Sequence, residues 1–216
     1  MQSVTEQKPA VKFIMIITAL TAWVALSLQQ YIIIDNTPGN GLTPLQAVGR
    51  FLIFFTILSN LLVAISLTAV LLSPASSTGR FFAKPPVIAA IALYIFIVGL
   101  VYNLVLRNIW YPTGRDRLAD ELLHVAVPLL YMLYFLFFAP KAWLPWKSLI
   151  SWLVFPAVYL VYAMIRGALE GFYAYPFLSL KDLSGGKVVF NCTMVMVAFI
   201  VFGLLIIAYC RSIKKK

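Results

Sequence analysis

Charge is scarce in this chain of 216 residues: Asp, Glu, Lys and Arg together make 11% of it, against 62% apolar residues. So few ionic groups cannot cover a water-soluble domain, which disfavours a soluble enzyme and a disordered chain alike. The net charge of +10 is made by basic residues set between apolar runs rather than on one solvated face, so it speaks of membrane orientation and not of a nucleic-acid partner. One histidine, two cysteines and seven acids form no cluster with metal-ligand spacing, and neither a metal nor another cofactor is expected. Cys192 and Cys210 lie on one apolar run, about 27 Å apart at a helical rise, too far to bridge each other. A glycine-rich phosphate loop, a GxSxG elbow, an HExxH helix and an internal repeat are all missing.

What the chain has is apolar length. A bilayer crossing needs about 20 apolar helical residues, and six such runs are predicted: Val11 to Ile34, Gly49 to Leu72, Pro86 to Ile109, Leu118 to Ala139, Leu149 to Ile165 and Val188 to Cys210. Turn-forming strings such as DNTPGNGLTP, SPASSTG, WYPTGRDR and LSGGK separate them, and no length remains for a soluble domain. The fold expected is all-α, one six-helix transmembrane domain over residues 1–216. The first run is too long and too continuously apolar for a cleaved signal peptide and reads as a true span. With six spans both termini share a side with Lys8, Lys12, Arg80, Lys84, Lys141, Lys147, Arg211 and the three terminal lysines. The other side has seven basic residues, so both termini are expected in the cytoplasm. Trp110, Tyr111, Trp143 and Trp146 fall at span ends, as headgroup anchors do.

Polar side chains inside a bilayer are costly, so each is a functional candidate. Thr56, His124, Asn103 and Asn191 are predicted at about 10, 9, 9 and 6 Å below the outer ends of four different spans. His124 is the one imidazole and the natural base. Asp120 and Glu121, four and three residues before it, can each orient its ring. Thr56 shares a helical face with Ser59 and Asn60, which sets a hydroxyl nucleophile beside groups able to bind an oxyanion. Each has a plainer reading too: an intramembrane Thr bonds back to its own helix, and Asn60, Asn103 and Asn191 glue helices together. Arg166, one turn beyond Tyr162, can clamp a substrate carboxylate at the rim or simply snorkel beside Glu170. Pro128 and Pro156 are expected to kink their spans.

The strings FFTILSNLLVA at 54–64, LLHVAVPLLY at 122–131, YLVYAMIRGALEG at 159–171 and YAYPFLSL at 173–180 resemble a bacterial family of small six-span membrane proteins. That family is distantly similar to the androgen-induced gene and androgen-dependent regulating proteins of animals, multispan hydrolases of fatty acid esters of hydroxy fatty acids. The resemblance implies a threonine nucleophile at Thr56 and a histidine base at His124, with a membrane lipid or fatty acid ester as substrate. The function expected is therefore a membrane lipid ester hydrolase. The alternatives are a proton-coupled small-solute transporter using His124, and a lipid-binding protein without catalysis.

Overall fold

The computed structural model describes residues 8–36 and 43–213, so residues 1–7, most of the turn-forming string predicted between the first two spans, and Lys214 to Lys216 lie outside the described residues. Among these the chain is helical without strands, and six helices are long and apolar enough to cross a membrane: an integral membrane architecture. The spanning helices are α1 (Pro9–Asp35), α3 (Phe55–Leu72), α5 (Pro85–Leu104, continued by a 3-10 turn at Leu106–Asn108), α6 (Gly114–Phe138), α7 (Ser148–Glu170) and α8 (Gly185–Ile213). Two short helices, α2 (Pro44–Phe51) and α4 (Ser77–Phe82), lie between spans.

α5 is the most enclosed span, with Ile88 to Ile95 buried without interruption, and α3, α6, α7 and α8 pack against it. An aromatic cluster ties four of them together: Phe55 of α3 meets Tyr94 of α5, Phe155 and Tyr159 of α7 and Phe199 of α8, with ring centroids 5.0 to 6.4 Å apart. Such ring pairs contribute about 0.5–1.5 kcal/mol each beyond area burial. The outward faces stay apolar, as lipid contact requires: Leu20, Val24, Ile150, Val158, Val161 and Phe190 are all exposed.

One span departs from expectation in a way that matters. The predicted run Gly49 to Leu72 is not one helix: α2 closes at Leu52, Phe54 is extended at φ −88° and ψ 129°, and α3 starts at Phe55. Thr56 is thus in the first turn of its helix rather than seven residues inside it. The break is stabilised from both sides. A Thr43/Gln46 capping box fixes the start of α2, and the Ile53 carbonyl, which a continuous helix would use internally, accepts from the Tyr159 hydroxyl at 3.0 Å.

At Pro128, where a kink is expected, the structure shows a change in the helix's hydrogen-bond register. It has no N–H for the His124 carbonyl one turn back, and its ring would crowd that carbonyl. The helix answers by widening into a π turn over Leu122–Ala126, in which the Val127 N–H reaches the Leu122 carbonyl. α5 fits closely against this turn because Gly99 has no side chain: a Cβ there would stand 3.2 Å from the His124 carbonyl oxygen and from Pro128 Cβ. Pro156 sits inside a helix that runs continuously from Ser148 to Glu170.

At the far end of the bundle, Arg211 stacks over Trp143 and Trp146 at 4.2 and 4.9 Å, and Lys141 donates to the Phe135 and Ala139 carbonyls at the end of α6. Desolvation there lowers the Lys141 pKa from its ordinary value. The tryptophans expected as headgroup anchors thus also clasp a cation.

Candidate active site

Thr56 and His124, from α3 and α6, meet. Thr56 Oγ1 lies 3.2 Å from His124 Nε2, and both residues are buried, at 6% and 9% exposure. The other ring nitrogen, Nδ1, faces two acceptors of Asp120: the carboxylate Oδ1 at 3.2 Å and the main-chain carbonyl at 3.0 Å. A nitrogen between two acceptors carries the proton. Nε2 is then the bare acceptor, and the Thr56 hydroxyl donates to it. Hydroxyl, imidazole and carboxylate stand in the order of a nucleophile, its base and the group that orients the base.

Of the two acids able to serve His124, the fold selects Asp120. Glu121 turns to Arg107, 2.7 Å away. Asp120 is held on its other oxygen by the Tyr102 hydroxyl at 3.0 Å, and the Tyr102 ring stacks on the imidazole with centroids 4.1 Å apart at 13°. Tyr102 thus fixes both the carboxylate and the plane of the ring. The sequence signal was present, since Tyr102 sits beside Asn103 at the predicted polar level, but a tyrosine on an apolar span reads equally as core.

The asparagines take other places. Asn60, fully buried, donates its amide to the Thr56 carbonyl of its own helix at 2.8 Å and to the Leu123 carbonyl of α6 at 3.2 Å. It therefore locks the register of the two helices that bear Thr56 and His124. Asn103 is exposed and donates back to the Gly99 carbonyl of its own helix at 2.7 Å. Asn191 donates to the Phe177 carbonyl at 3.0 Å, fastening the loop before α8. Arg166 pairs with Glu170 and donates to the Tyr162 hydroxyl at 3.0 Å. None of these four lines either cavity described below. The structure brings together Thr56, His124 and Asp120, with Asn60 behind them.

Tyr175, in the YAYPF loop between α7 and α8, completes the surroundings. Its hydroxyl lies 3.2 Å from both the Thr56 backbone nitrogen and Thr56 Oγ1. Its ring stacks on Phe177 with centroids 5.1 Å apart and meets the edge of Phe54 at 6.0 Å. Nothing in the spacing of a loop tyrosine announces such a position, because the contact spans 119 residues.

Two cavities join at these residues. An apolar cavity of about 80 Å³ runs among α5, α7 and α8, past Val98, Val101, Leu160, Cys192 and Met196. A wider one, about 590 Å³, is edged by Gln29, Asp116, Lys181 and Asp182 at the loop end of the bundle. Thr56, Tyr102, Leu106, His124 and Tyr175 line both. A molecule reaching from one into the other passes directly across the threonine and the histidine.

The close fit at Gly99 gives a direct test of this geometry. Gly99→Leu is expected to push α6 off α5 and carry His124 away from Thr56. A displacement near 1 Å would cost any chemistry that needs the two groups in contact about 100-fold, and it is checked directly as a longer Thr56–His124 separation in the structure of a variant whose circular dichroism still shows full helicity.

Compared with family models, with curated proteins and with solved structures, the chain has no match.

Proposed function

We propose that this protein is an integral-membrane hydrolase of lipid esters, with Thr56 as nucleophile and His124 as general base. The observation that carries the reading is the 3.2 Å approach of Thr56 Oγ1 to His124 Nε2 where an apolar cavity opens into a polar-edged one. An amphiphile suits that junction: its acyl chain lies among α5, α7 and α8, its polar part in the wider cavity, and its ester bond beside Thr56. The hydroxyl oxygen attacks the ester carbonyl while its proton passes to Nε2. The tetrahedral intermediate then expels the alkoxide, which takes that proton and leaves as an alcohol. Water enters, gives its proton to Nε2 and attacks the acyl-threonine; the proton returns to Thr56 Oγ1 as the fatty acid departs. Asp120 holds the imidazole in the required tautomer and offsets the charge on the imidazolium.

In this reading the substrate is a fatty acid ester of the kind the animal hydrolases cleave, both termini face the cytoplasm of a bacterial inner membrane, and the site opens toward the outer leaflet. The basic residues at the far end of the bundle, Arg80, Lys84, Lys141, Lys147 and Arg211, support that orientation. With Arg166 bound to Glu170, Lys181 is the cation at the edge of the wider cavity for a polar head.

The purified protein is expected to release fatty acid from ester lipids in nanodiscs. Filling the apolar cavity should change which ester it prefers: Met196→Trp is expected to lower kcat/KM for long-chain esters by about tenfold or more while leaving short-chain esters within about threefold, since one methylene in such a pocket counts for about 1–3 kcal/mol. Equal losses for all chain lengths would mean that the chain lies elsewhere. Solute flux into proteoliposomes without ester cleavage would instead support a transporter.

A further inference from the structure

When a hydroxyl attacks an ester, negative charge develops on the carbonyl oxygen, and a dry site must supply donors for it. The asparagine amides do not: Asn60, Asn103 and Asn191 all donate to main-chain carbonyls. Two other donors lie against the nucleophile. The Thr56 N–H belongs to the first turn of α3, where an N–H has no carbonyl one turn back, and it is directed at the Tyr175 oxygen 3.2 Å away. The Tyr175 hydroxyl is equally close to Thr56 Oγ1.

Resting on the hydrolase reading above, we propose that the Thr56 backbone N–H and the Tyr175 phenol form the oxyanion site for the ester carbonyl, which makes Tyr175 a catalytic residue. A carbonyl oxygen on a carbon joined to Thr56 Oγ1 stays within reach of the nucleophile's own N–H, as in other acyl-transfer sites. A hydroxyl equidistant from that nitrogen and from Oγ1 stands beside the same oxygen. The donors agree in direction. At rest the Thr56 hydroxyl donates to His124 Nε2, so Oγ1 is free to accept from Tyr175. As the new carbon–oxygen bond forms, charge moves from Oγ1 to the carbonyl oxygen and the Tyr175 O–H follows it. The phenol keeps its proton throughout. The start of α3 adds the positive end of a helix dipole.

The surroundings hold Tyr175 to this task. Phe177 and Phe54 fix its ring, and Tyr159, which reinforces the break before α3 through the Ile53 carbonyl, stands against its hydroxyl. Burial raises the Tyr175 pKa above the ordinary phenol value, against smaller opposing effects of its hydrogen bonds to Thr56. The neutral, donating form is therefore the active one, and on this account turnover is lost to its ionisation only as pH rises above the usual phenol range.

The test is Tyr175→Phe, which removes the hydroxyl and keeps the ring. On a fatty acid ester in nanodiscs kcat should fall by about 100- to 1,000-fold with KM within about twofold. Affinity for a long-chain trifluoromethyl ketone, which forms the tetrahedral adduct, should fall in parallel. Binding of the corresponding unreactive ether should not change. A structural role would lower ether binding and thermal stability along with turnover. Wild-type kcat in folded Tyr175→Phe overturns the assignment. Should that variant fail to fold, 3-fluorotyrosine at position 175 replaces it: a more acidic phenol should bind the ketone more tightly, and unchanged affinity overturns the assignment. If the wild type itself neither cleaves esters nor reacts with the ketone, the hydrolase reading falls and takes this one with it; an active wild type with an unimpaired Tyr175→Phe sinks the oxyanion site alone.

Discussion

Thr56→Ala and His124→Ala should each lower ester turnover by at least about 10,000-fold, and the double variant should be no worse than either alone. Residues that act as one chemical unit are strongly non-additive: without the hydroxyl the base has no proton to accept, and without the base the hydroxyl is a weak nucleophile. Their 3.2 Å hydrogen bond is the structural form of that dependence. Two residues that merely shared a binding pocket would lose activity in separate and roughly additive steps. Thr56→Ser, which keeps the hydroxyl, should stay within about tenfold of the wild type, because the β-methyl group takes no part in the chemistry. A fluorophosphonate should label the wild type at Thr56, its phosphorus joining Oγ1 as fluoride leaves, and should fail to label Thr56→Ala. Labelling of the alanine variant at wild-type yield would place the nucleophile elsewhere.

Asp120→Asn should cost about 100- to 1,000-fold in kcat, less than the roughly 10,000-fold typical of losing the acid from a hydrolase triad. The smaller figure has a structural reason. His124 Nδ1 faces not only the carboxylate but also the Asp120 main-chain carbonyl at 3.0 Å, which survives the substitution and continues to favour the correct tautomer. What disappears is the negative charge that stabilises the imidazolium during attack. Glu121→Gln is the control: its carboxylate is paired with Arg107, and activity should stay within about threefold. A large loss in Glu121→Gln with a small one in Asp120→Asn would reverse the assignment of the two acids.

Much of this site was legible in one dimension. His124 stands out because it is the single imidazole, Asp120 and Glu121 because spacings of four and three each place a carboxylate on its helical face, and Thr56 because a hydroxyl at a comparable depth on another span is a natural partner. Depth, however, fixes only one coordinate. Asn103 was expected at the same level as His124, and it does lie at that end of the bundle, but it points outward and bonds to its own helix. Two residues at one height meet only if their helices are also rotated toward each other, and that rotation comes from packing. Here it comes from the absent side chain of Gly99, from the π turn before Pro128 and from the bonds of the Asn60 amide to both helices.

The apolar runs themselves determined that six helices would be long and apolar enough to span a bilayer, because a bilayer leaves the backbone no unbonded alternative. Composition also determined that any chemistry would fall to the few polar side chains within those runs. Tertiary structure alone decided the rest: the break at Phe54 that puts Thr56 in a first helical turn, the choice of Asp120 over Glu121, the stacking of Tyr102 on the imidazole, and the arrival of Tyr175 from a loop 119 residues away. Local sequence sets periodicity and cost of burial, whereas partners distant along the chain are chosen by whichever carbonyls, rings and charges the folded bundle leaves unsatisfied beside them.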